Sequence, residues 1–171
     1  VIGPGSLFTS IVPNLLIYDI SAALASSTAF KIYVCNVAEE PAQTEGYSVL
    51  DHSKVIQHYG GEGAMDAVLA NNNLPDGPTP AGLGFIRAGK PWSDDVLLVE
   101  ADVIDETDDN STARHDSVKL SNAIAEAYRK YRGRRRRLPR VRLNLDLRRP
   151  KNGREYLTGS DQADPVASSD K

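Results

Sequence analysis

The feature that most constrains the fold is a set of short, almost continuously apolar segments, each followed by polar residues. The clearest of them, Lys31–Val37, is β-branched and aromatic and has the length of a strand buried on both faces. Met65–Ala70 and Asp95–Ile104 have the same character, and Val1-Ile2 is typical of the end of a further strand. We therefore predict four strands.

Helical segments are predicted between these strands. Leu7–Leu16 contains Pro13, which fits the first turn of a helix and disrupts its interior. We expect a short helical turn there, followed by a second helix over about residues 19–27 with Asp19 as its N-cap.

Two more helices are predicted further along the chain. Asp51–Tyr59 has a short apolar face and is followed by the glycine-rich turn Gly60–Gly63. Asp116 is a favourable cap for the most regular helix, and Gly133 is the expected stop. The residues of its apolar stripe recur at helical spacing: Leu120, Ile124, Ala127, Tyr128 and Tyr131.

Alternation of strands and helices predicts the α/β class with a mostly parallel sheet. Ligands of such sheets bind at the carboxyl ends of the strands. Polar clusters follow each predicted strand, namely Gly3–Ser6, Asn36, Asn71-Asn72 and Asp102. We expect the functional site at that edge.

The glycine-rich segment Gly3–Ser6 joins a predicted strand to a helical turn. Glycines let a backbone approach an anion closely, and Ser6, Thr9 and Ser10 add hydroxyl donors. Phosphate binding and a tight turn without a ligand are equally open interpretations. The segment is neither the Rossmann glycine fingerprint nor a P-loop.

A second polar group is formed by Gln43–Tyr47, which includes Glu45, together with Asp51-His52. Its carboxylate, amide, hydroxyl and imidazole groups could bind a sugar or a metal ion. Capping of the following helix by Asp51 explains the same residues equally well.

Arg114 is one of only six basic residues among the first 128, against eighteen acidic ones, which favours a phosphate or carboxylate ligand for it. Glu100 and Asp102 could bind a divalent cation, although an ion pair or a loop cap is the commoner role. His52 and His58 are badly spaced for zinc, and no metal site is predicted. No arrangement of nucleophile and base is identifiable, so the catalytic residues are unknown.

Charge divides the chain. Residues 129–154 carry thirteen Lys and Arg against the single acid Asp146. We predict an α/β domain over residues 1–132 and a basic, then polar, flexible extension over residues 133–171. Arg134–Arg137 could bind nucleic acid, but a solvated extension or a patch docked on an acidic surface is favoured.

The remaining indications concern location. No apolar run approaches the roughly 18–20 residues that cross a bilayer, and no signal peptide is visible. The single cysteine, Cys35, cannot form an internal disulfide and is expected to be buried. We predict a cytoplasmic protein without a membrane span.

Several motifs together resemble the bacterial gluconeogenesis factors of the YvcK type, which are related to the phospholactate transferases (CofD). They keep the order of that family over roughly residues 1–131. The motifs are Gly3–Leu16 (GPGSLFTSIVPNLL), Tyr33–Asn36 (YVCN), Gln43–Ser48 (QTEGYS), Asp51-His52, Val99–Asp102 (VEAD) and Arg114–Asp116 (RHD).

This resemblance implies a Rossmann-like three-layer fold and a nucleotide-type ligand. YvcK-type proteins bind UDP-sugars, UDP-N-acetylglucosamine in particular, and regulate gluconeogenic growth and cell-wall morphogenesis. CofD relatives instead transfer a phospholactyl group to a deazaflavin and release a nucleoside monophosphate. No cofactor is certain, and a magnesium ion is conceivable. The ligand-binding residues expected here are Gly3, Gly5, Ser6, Thr9, Asn36, Glu45, Asn71 and Arg114.

The chain also departs from the family. Members are about twice as long and begin with a strand and a Gly-Gly-Gly-Thr-Gly loop, so we expect this chain to be a C-terminal half. Instability of the chain alone, a homo-oligomer, or complementation by the missing half is then expected. Residues 74–93 do not follow the family's usual helical segment and are predicted to form a loop.

Overall fold

A computed structural model of the protein describes residues 1–74, 82–89, 96–105 and 113–135. These described residues form a π-helical turn, four α-helices and three strands. The helical elements are the turn Leu7–Ile11, α1 Val12–Leu15, α2 Tyr18–Ser26, α3 Val49–Gly60 and α4 Ser117–Arg135, and the strands are β1 Ile32–Val34, β2 Ala67–Asn71 and β3 Leu97–Ala101.

The three strands form one parallel sheet in the order β1-β2-β3. Ile32 pairs with Ala67, and Ala67 pairs in turn with Leu97. Ile2 lies on the outer side of β1, where its N–H donates to the carbonyl oxygen of Ile32 at 2.8 Å. The predicted parallel sheet is therefore confirmed, with Ile2 forming a single bridge at the position of the predicted first strand.

Helices cover both faces of this sheet. One apolar cluster joins Tyr33 and Val68 to the π-helical turn, α1 and α3. Residues of the opposite face, such as Val34 and Leu69, pack with α4 in a second cluster. Every residue of β1 and β2 is buried, which is why these segments are apolar without alternation. The architecture is the predicted α/β three-layer arrangement.

The start of α2 differs from the prediction. Asp19 is not the N-cap but lies in the first turn, and Ile17 takes the N-cap position. The carbonyl oxygen of Ile17 already accepts from the N–H groups of Ile20 and Ser21, so the helix begins one residue before Asp19. No residue of α2 is buried, and Tyr18 is 74 % exposed.

The chain before α2 follows the prediction more closely. Pro13 lies in the first turn of α1, where its missing N–H costs no hydrogen bond. The preceding π-helical turn begins after Ser6, whose carbonyl oxygen accepts from both Ser10 and Ile11 at 3.0 Å. This turn buries Leu7 and Ile11 and so anchors the glycine loop to the core.

Helix α3 begins two residues earlier than predicted because Ser48 and Asp51 form a capping box. The Ser48 hydroxyl accepts from the Asp51 N–H, and the Asp51 carboxylate accepts from the Ser48 N–H at 3.0 Å. The Ser48 hydrogen bonds hold the pKa of the Asp51 carboxyl below its usual value. The capping interpretation of Asp51 is confirmed.

Helix α4 is capped as predicted, since the Asp116 carboxylate accepts from the Lys119 N–H at 2.7 Å. Ala123 and Ala127 are its buried residues against the sheet. The predicted stop at Gly133 is wrong, because the helix continues to Arg135. A glycine within a helix costs only about 1 kcal/mol, which is not enough to end it.

Two predictions lie largely outside the described residues: the loop over residues 74–93, and the basic, then polar, extension over residues 133–171. Within the described part, no single helix is long and apolar enough to cross a membrane. Leu7–Leu15 and Tyr18–Ser26 reach the required length and composition only as a pair, bent by 78°.

Candidate functional site

The glycine loop Gly3–Ser6 lies against the end of β1. Gly3 has a φ of +75°, and a Cβ atom there would come within 3.0 Å of the Val34 carbonyl oxygen and 3.3 Å of the Ile11 side chain. Both the conformation and the close approach require glycine. The loop is thereby held at the carboxyl edge of the sheet, as predicted.

Gly5 and Asn36 are joined by two hydrogen bonds. The Gly5 N–H donates to Asn36 Oδ1 at 3.2 Å, and Asn36 Nδ2 donates to the Gly5 carbonyl oxygen at 3.1 Å. Asn36 follows β1 by two residues, so its amide side chain ties the glycine loop to the end of that strand. These two predicted site residues are brought into direct contact.

Ser6 contacts a carboxylate that we did not predict. Its hydroxyl lies 2.8 Å from Glu40 Oε2 and 3.2 Å from Gln43 Oε1. Asn36 Nδ2 also donates to Glu40 Oε1 at 3.2 Å. We call Gly5, Ser6, Asn36, Glu40 and Gln43 the glycine-loop cluster.

The turn that presents Glu40 is strained. Ala42 has a φ of +57°, in the left-handed region that favours glycine. The turn is fixed from inside, because the Glu40 N–H donates to the buried Thr44 hydroxyl at 2.9 Å and the Glu40 carbonyl oxygen accepts from the Thr44 N–H at 3.0 Å. These hydrogen bonds hold the backbone of the turn that carries Glu40 and Gln43.

Most polar atoms of the glycine-loop cluster are hydrogen-bond acceptors, among them the side-chain oxygens of Glu40 and Gln43. A serine hydroxyl carries one proton, which Ser6 directs to the nearer Glu40 carboxylate. A carboxylate and two amides close together are suited to the hydroxyl groups of a sugar. A phosphate on the same loop requires the Ser6 hydroxyl to turn away from Glu40.

His115 connects the loop before α4 to the same edge. Its Nε2 lies 3.2 Å from the Cys35 carbonyl oxygen, next to Asn36 in the chain. Burial lowers the pKa of His115, which favours a neutral imidazole with Nε2–H as the donor. Arg114, the predicted cation, is exposed beside it, and its carbonyl oxygen accepts from the Asp105 N–H at 2.9 Å.

The other predicted ligand-binding residues have different surroundings. Asn71 is 5 % exposed, and its Oδ1 accepts from the Val103 N–H at 3.1 Å, so its side chain joins the ends of β2 and β3. Thr9 and Glu45 are exposed. Among the described residues, no hydrogen bond links Thr9, Glu45 or Asn71 to the glycine-loop cluster.

Of the two acidic residues near the end of β3, Asp102 forms an ion pair. Its carboxylate lies 2.9 Å from Lys119 Nζ, and that lysine lowers the pKa of Asp102. Within the described residues, no group of three His, Cys, Asp or Glu side chains could hold a metal ion. The magnesium ion and the homo-oligomer stay predictions.

His52 belongs to the core rather than to a polar loop. It is fully buried, its Nδ1 lies 2.9 Å from the Tyr33 hydroxyl oxygen, and its Nε2 has no partner among the described residues. Burial lowers the pKa of His52 to about 4 and raises that of Cys35, which is buried as predicted, to about 12. The ligand-binding interpretation of His52 is therefore wrong, because the side chain is buried between α3 and the sheet.

A cleft of about 430 Å³ lies between the start of α3 and the segment of residues 84–87. We call it the aromatic cleft, since Tyr47 and Phe85 line it together with Glu39 and Arg87. Sequence reasoning missed it because residues 84–87 fall in the predicted loop. The run Gly84-Phe85-Ile86-Arg87, apolar except for its arginine, was the available signal.

Comparison with known proteins identifies the family. Residues 1–81 match the sequence model of the family described as 2-phospho-L-lactate transferase CofD. The putative gluconeogenesis factor of Thermotoga maritima is 36 % identical over 132 residues, which are 72 % of this chain and 42 % of that protein. The gluconeogenesis factor of Bacillus subtilis is 33 % identical over 133 residues, covering 74 % of this chain and 41 % of its own length.

A solved structure agrees with these relatives. A member of the UPF0052 family from Bacillus halodurans superimposes with a TM-score of 0.62 at 32 % identity, over 72 % of this chain and 41 % of that one. The chain spans about two fifths of the length of the relatives it matches. Sequence, motif order and three-layer architecture together show that this chain belongs to the CofD family, among the gluconeogenesis factors.

Proposed function

We propose that the protein binds a UDP-sugar and regulates gluconeogenic carbon use and cell-wall morphogenesis. The observation that carries this proposal is the glycine-loop cluster, in which the Ser6 hydroxyl lies 2.8 Å from Glu40 at the carboxyl edge of a parallel sheet. Backbone donors and polar side chains that suit a sugar are adjacent there. The ligand then contacts the glycine loop through its phosphates and the turn of Glu40 and Gln43 through its sugar.

Each part of the ligand has a partner in this arrangement. The diphosphate takes the Ser6 hydroxyl, together with the Gly5 N–H once that group is released from Asn36 Oδ1. When the Ser6 hydroxyl turns away from Glu40, the Glu40 carboxylate is able to accept hydrogen bonds from sugar hydroxyls. The Gln43 amide is able both to accept and to donate them. Arg114, on the loop that His115 ties to the end of β1, supplies the positive charge that offsets the diphosphate.

A second candidate function is phospholactate transfer of the CofD type. The match of residues 1–81 to the CofD family favours it, because that stretch contains the whole glycine-loop cluster. The two functions differ in their ligands, since a transferase requires a deazaflavin acceptor and a guanylylated phospholactate donor. A regulator requires neither.

Isothermal titration calorimetry on the 171-residue chain separates the two. The regulator is expected to bind UDP-N-acetylglucosamine saturably and to lose at least about tenfold in affinity when Arg114 is changed to Gln, as expected for a lost charge-assisted hydrogen bond. Arg129→Gln, on the exposed face of α4, is the matched control. Binding of deazaflavin and of guanylylated phospholactate, with transfer of the phospholactyl group to the deazaflavin and release of GMP, and no binding of the UDP-sugar, would replace the regulator by the transferase.

A further inference from the structure

The aromatic cleft is held open by a rigid frame. The Glu39 carboxylate accepts from the Gly46 N–H at 3.0 Å and from the Gly84 N–H at 3.1 Å, so one side chain fixes both walls. Backbone hydrogen bonds of 3.0 Å add to this, from Glu39 to Gly84 and from Ile86 to Val37. A Cβ atom on Gly84 would come within 2.8 Å of the Glu39 carboxylate, so a larger residue there would displace that side chain.

The start of α3 closes one wall of the same cleft. Val49 and Leu50 donate their N–H groups to the carbonyl oxygens of Arg87 and Ala88 at 2.8 and 3.1 Å. The first backbone donors of α3 are therefore used inside the protein and do not attract an anion. What the aromatic cleft offers a ligand is its side chains.

These side chains suit a flat, polar ring. Tyr47 and Phe85 provide aromatic surface, the exposed Arg87 provides a cation with planar donors, and Glu39 retains acceptor capacity on both oxygens. The volume of about 430 Å³ falls within the roughly 300–1,000 Å³ typical of small-molecule sites. Bases of nucleic acids stack on such rings in the same way.

The aromatic cleft and the glycine loop share one segment of chain. Glu39 lines the cleft, and the next residue, Glu40, contacts Ser6. Tyr47 lines the cleft and packs edge-on against Phe8, two residues after Ser6, with ring centroids 6.1 Å apart. The segment from Glu39 to Tyr47 therefore carries residues of both regions.

We propose that the aromatic cleft binds the base of the nucleotide whose phosphates lie on the glycine loop, and that it selects uracil over cytosine. This rests on the proposed function. Stacking involves Phe85 and Tyr47, and the Arg87 guanidinium donates to a ring carbonyl oxygen. Uracil presents its O4 oxygen to Arg87 and the adjacent N3–H to Glu39, whereas cytosine presents an amino donor and an acceptor at these two positions, so the arginine and the carboxylate together favour uracil.

Nucleosides test the cleft separately from the phosphate site. Saturation-transfer NMR with uridine and cytidine on the 171-residue chain is expected to show uridine binding at least about fivefold tighter. Phe85→Leu is expected to weaken uridine binding by about tenfold, in the range of a lost stacking contact. Arg87→Gln is expected to weaken it by about the same factor, through loss of a charge-assisted hydrogen bond. Glu39→Gln is expected to narrow the preference for uridine, because an amide also donates.

Matched controls and a second ligand complete the experiment. Tyr59→Leu and Arg129→Gln change an exposed aromatic and an exposed cation elsewhere and are expected to leave uridine binding unchanged. Ser6→Ala is expected to weaken the binding of UDP but not the binding of uridine. Melting temperatures of all variants show that each is folded.

The outcomes separate the two proposals. Uridine binding that depends on Phe85 and Arg87 supports the cleft. UDP-N-acetylglucosamine binding that is weakened by Ser6→Ala but unchanged by Phe85→Leu and Arg87→Gln overturns the cleft and leaves the proposed function. If uridine binds in the cleft and UDP-N-acetylglucosamine binds no more tightly than uridine, the proposed function is overturned instead. Absence of uridine binding at millimolar concentration also overturns the cleft.

Discussion

The hydroxyl of Ser6 donates to the carboxylate of Glu40 at 2.8 Å, which places a negative charge directly beside the glycine loop. That charge opposes a diphosphate and favours sugar hydroxyls. Glu40→Gln is therefore expected to tighten UDP by about threefold to tenfold, since removal of a nearby like charge gains on the order of 1 kcal/mol. The affinity for UDP-N-acetylglucosamine is expected to rise less, because an amide at position 40 is a weaker acceptor for the sugar hydroxyls than a carboxylate. Calorimetry with both ligands measures the difference.

Glu62→Gln is the control for this change. Glu62 is an exposed carboxylate in the turn after α3, and its removal alters the net charge equally. Equal gains for UDP in the two variants would mean that Glu40 acts only through the overall charge. Such a result would contradict its assignment to the glycine-loop cluster.

Ala42 adopts a left-handed conformation within the turn that carries Glu40 and Gln43. This conformation costs a non-glycine residue roughly 1–2 kcal/mol, whereas glycine costs about 0.5–1 kcal/mol in chain entropy. Ala42→Gly is therefore expected to raise the free energy of unfolding by about 0.5–1 kcal/mol. Denaturant titration measures it. Ala23→Gly, at an exposed position of α2, is expected to have the opposite sign, and a loss of stability in both would contradict the strain at Ala42.

The buried His52 makes stability depend on pH. Its folded pKa of about 4 lies below the usual 6.5, because burial disfavours the charged imidazole despite the nearby Asp51. The unfolded chain therefore binds more protons between pH 6.5 and 4, and stability falls as the pH falls through this window. The expected loss is about 3 kcal/mol by pH 4.

Variants isolate the contribution of His52. His115, whose pKa is also lowered by burial, contributes with the same sign, so the difference between variants is the relevant quantity. His52→Gln is expected to flatten the pH dependence, whereas His58→Gln, on an exposed part of α3, is not. An NMR titration of His52 in the folded chain with a midpoint above pH 6 would refute this account.

Asn71 tests whether a predicted ligand residue acts through structure. Its Oδ1 accepts from the buried Val103 N–H, and Asn71→Ala leaves that donor unpaired. The expected loss is about 1–3 kcal/mol of unfolding free energy, with little change in UDP-N-acetylglucosamine affinity. Asn72→Ala, at the exposed neighbouring position, is expected to change stability by less than about 0.5 kcal/mol. Equal effects of the two substitutions would contradict the structural role of Asn71.

Much of the fold could be predicted because it depends on local pattern. The apolar run Lys31–Val37 contains β1, and its lack of alternation follows from burial on both faces. Asp116 caps α4 because a short acidic side chain reaches a backbone N–H three residues on. The same rule failed at Asp19, because the first hydrogen bonds of α2 run to the carbonyl oxygen of Ile17, which makes Ile17 the N-cap.

The site was harder to predict because its contacts join distant parts of the chain. Glu40 meets Ser6 across 34 residues, and no local signal distinguishes it from the neighbouring Glu39. His52 pairs with Tyr33 in the core, although a histidine beside Asp51 is equally typical of a polar loop. Gly5 and Asn36 were predicted together only because parallel strands end at one edge.

Backbone amide resonances test the central claim most directly. The chain is labelled with ¹⁵N and titrated with UDP-N-acetylglucosamine while the amide shifts are followed residue by residue. The account predicts saturable changes in Gly3, Gly5 and Ser6 and in the Asn36 side-chain amide, with one common affinity. Shifts confined to the exposed end of α4 around Arg129 and Arg132, with the glycine loop unchanged, would contradict it.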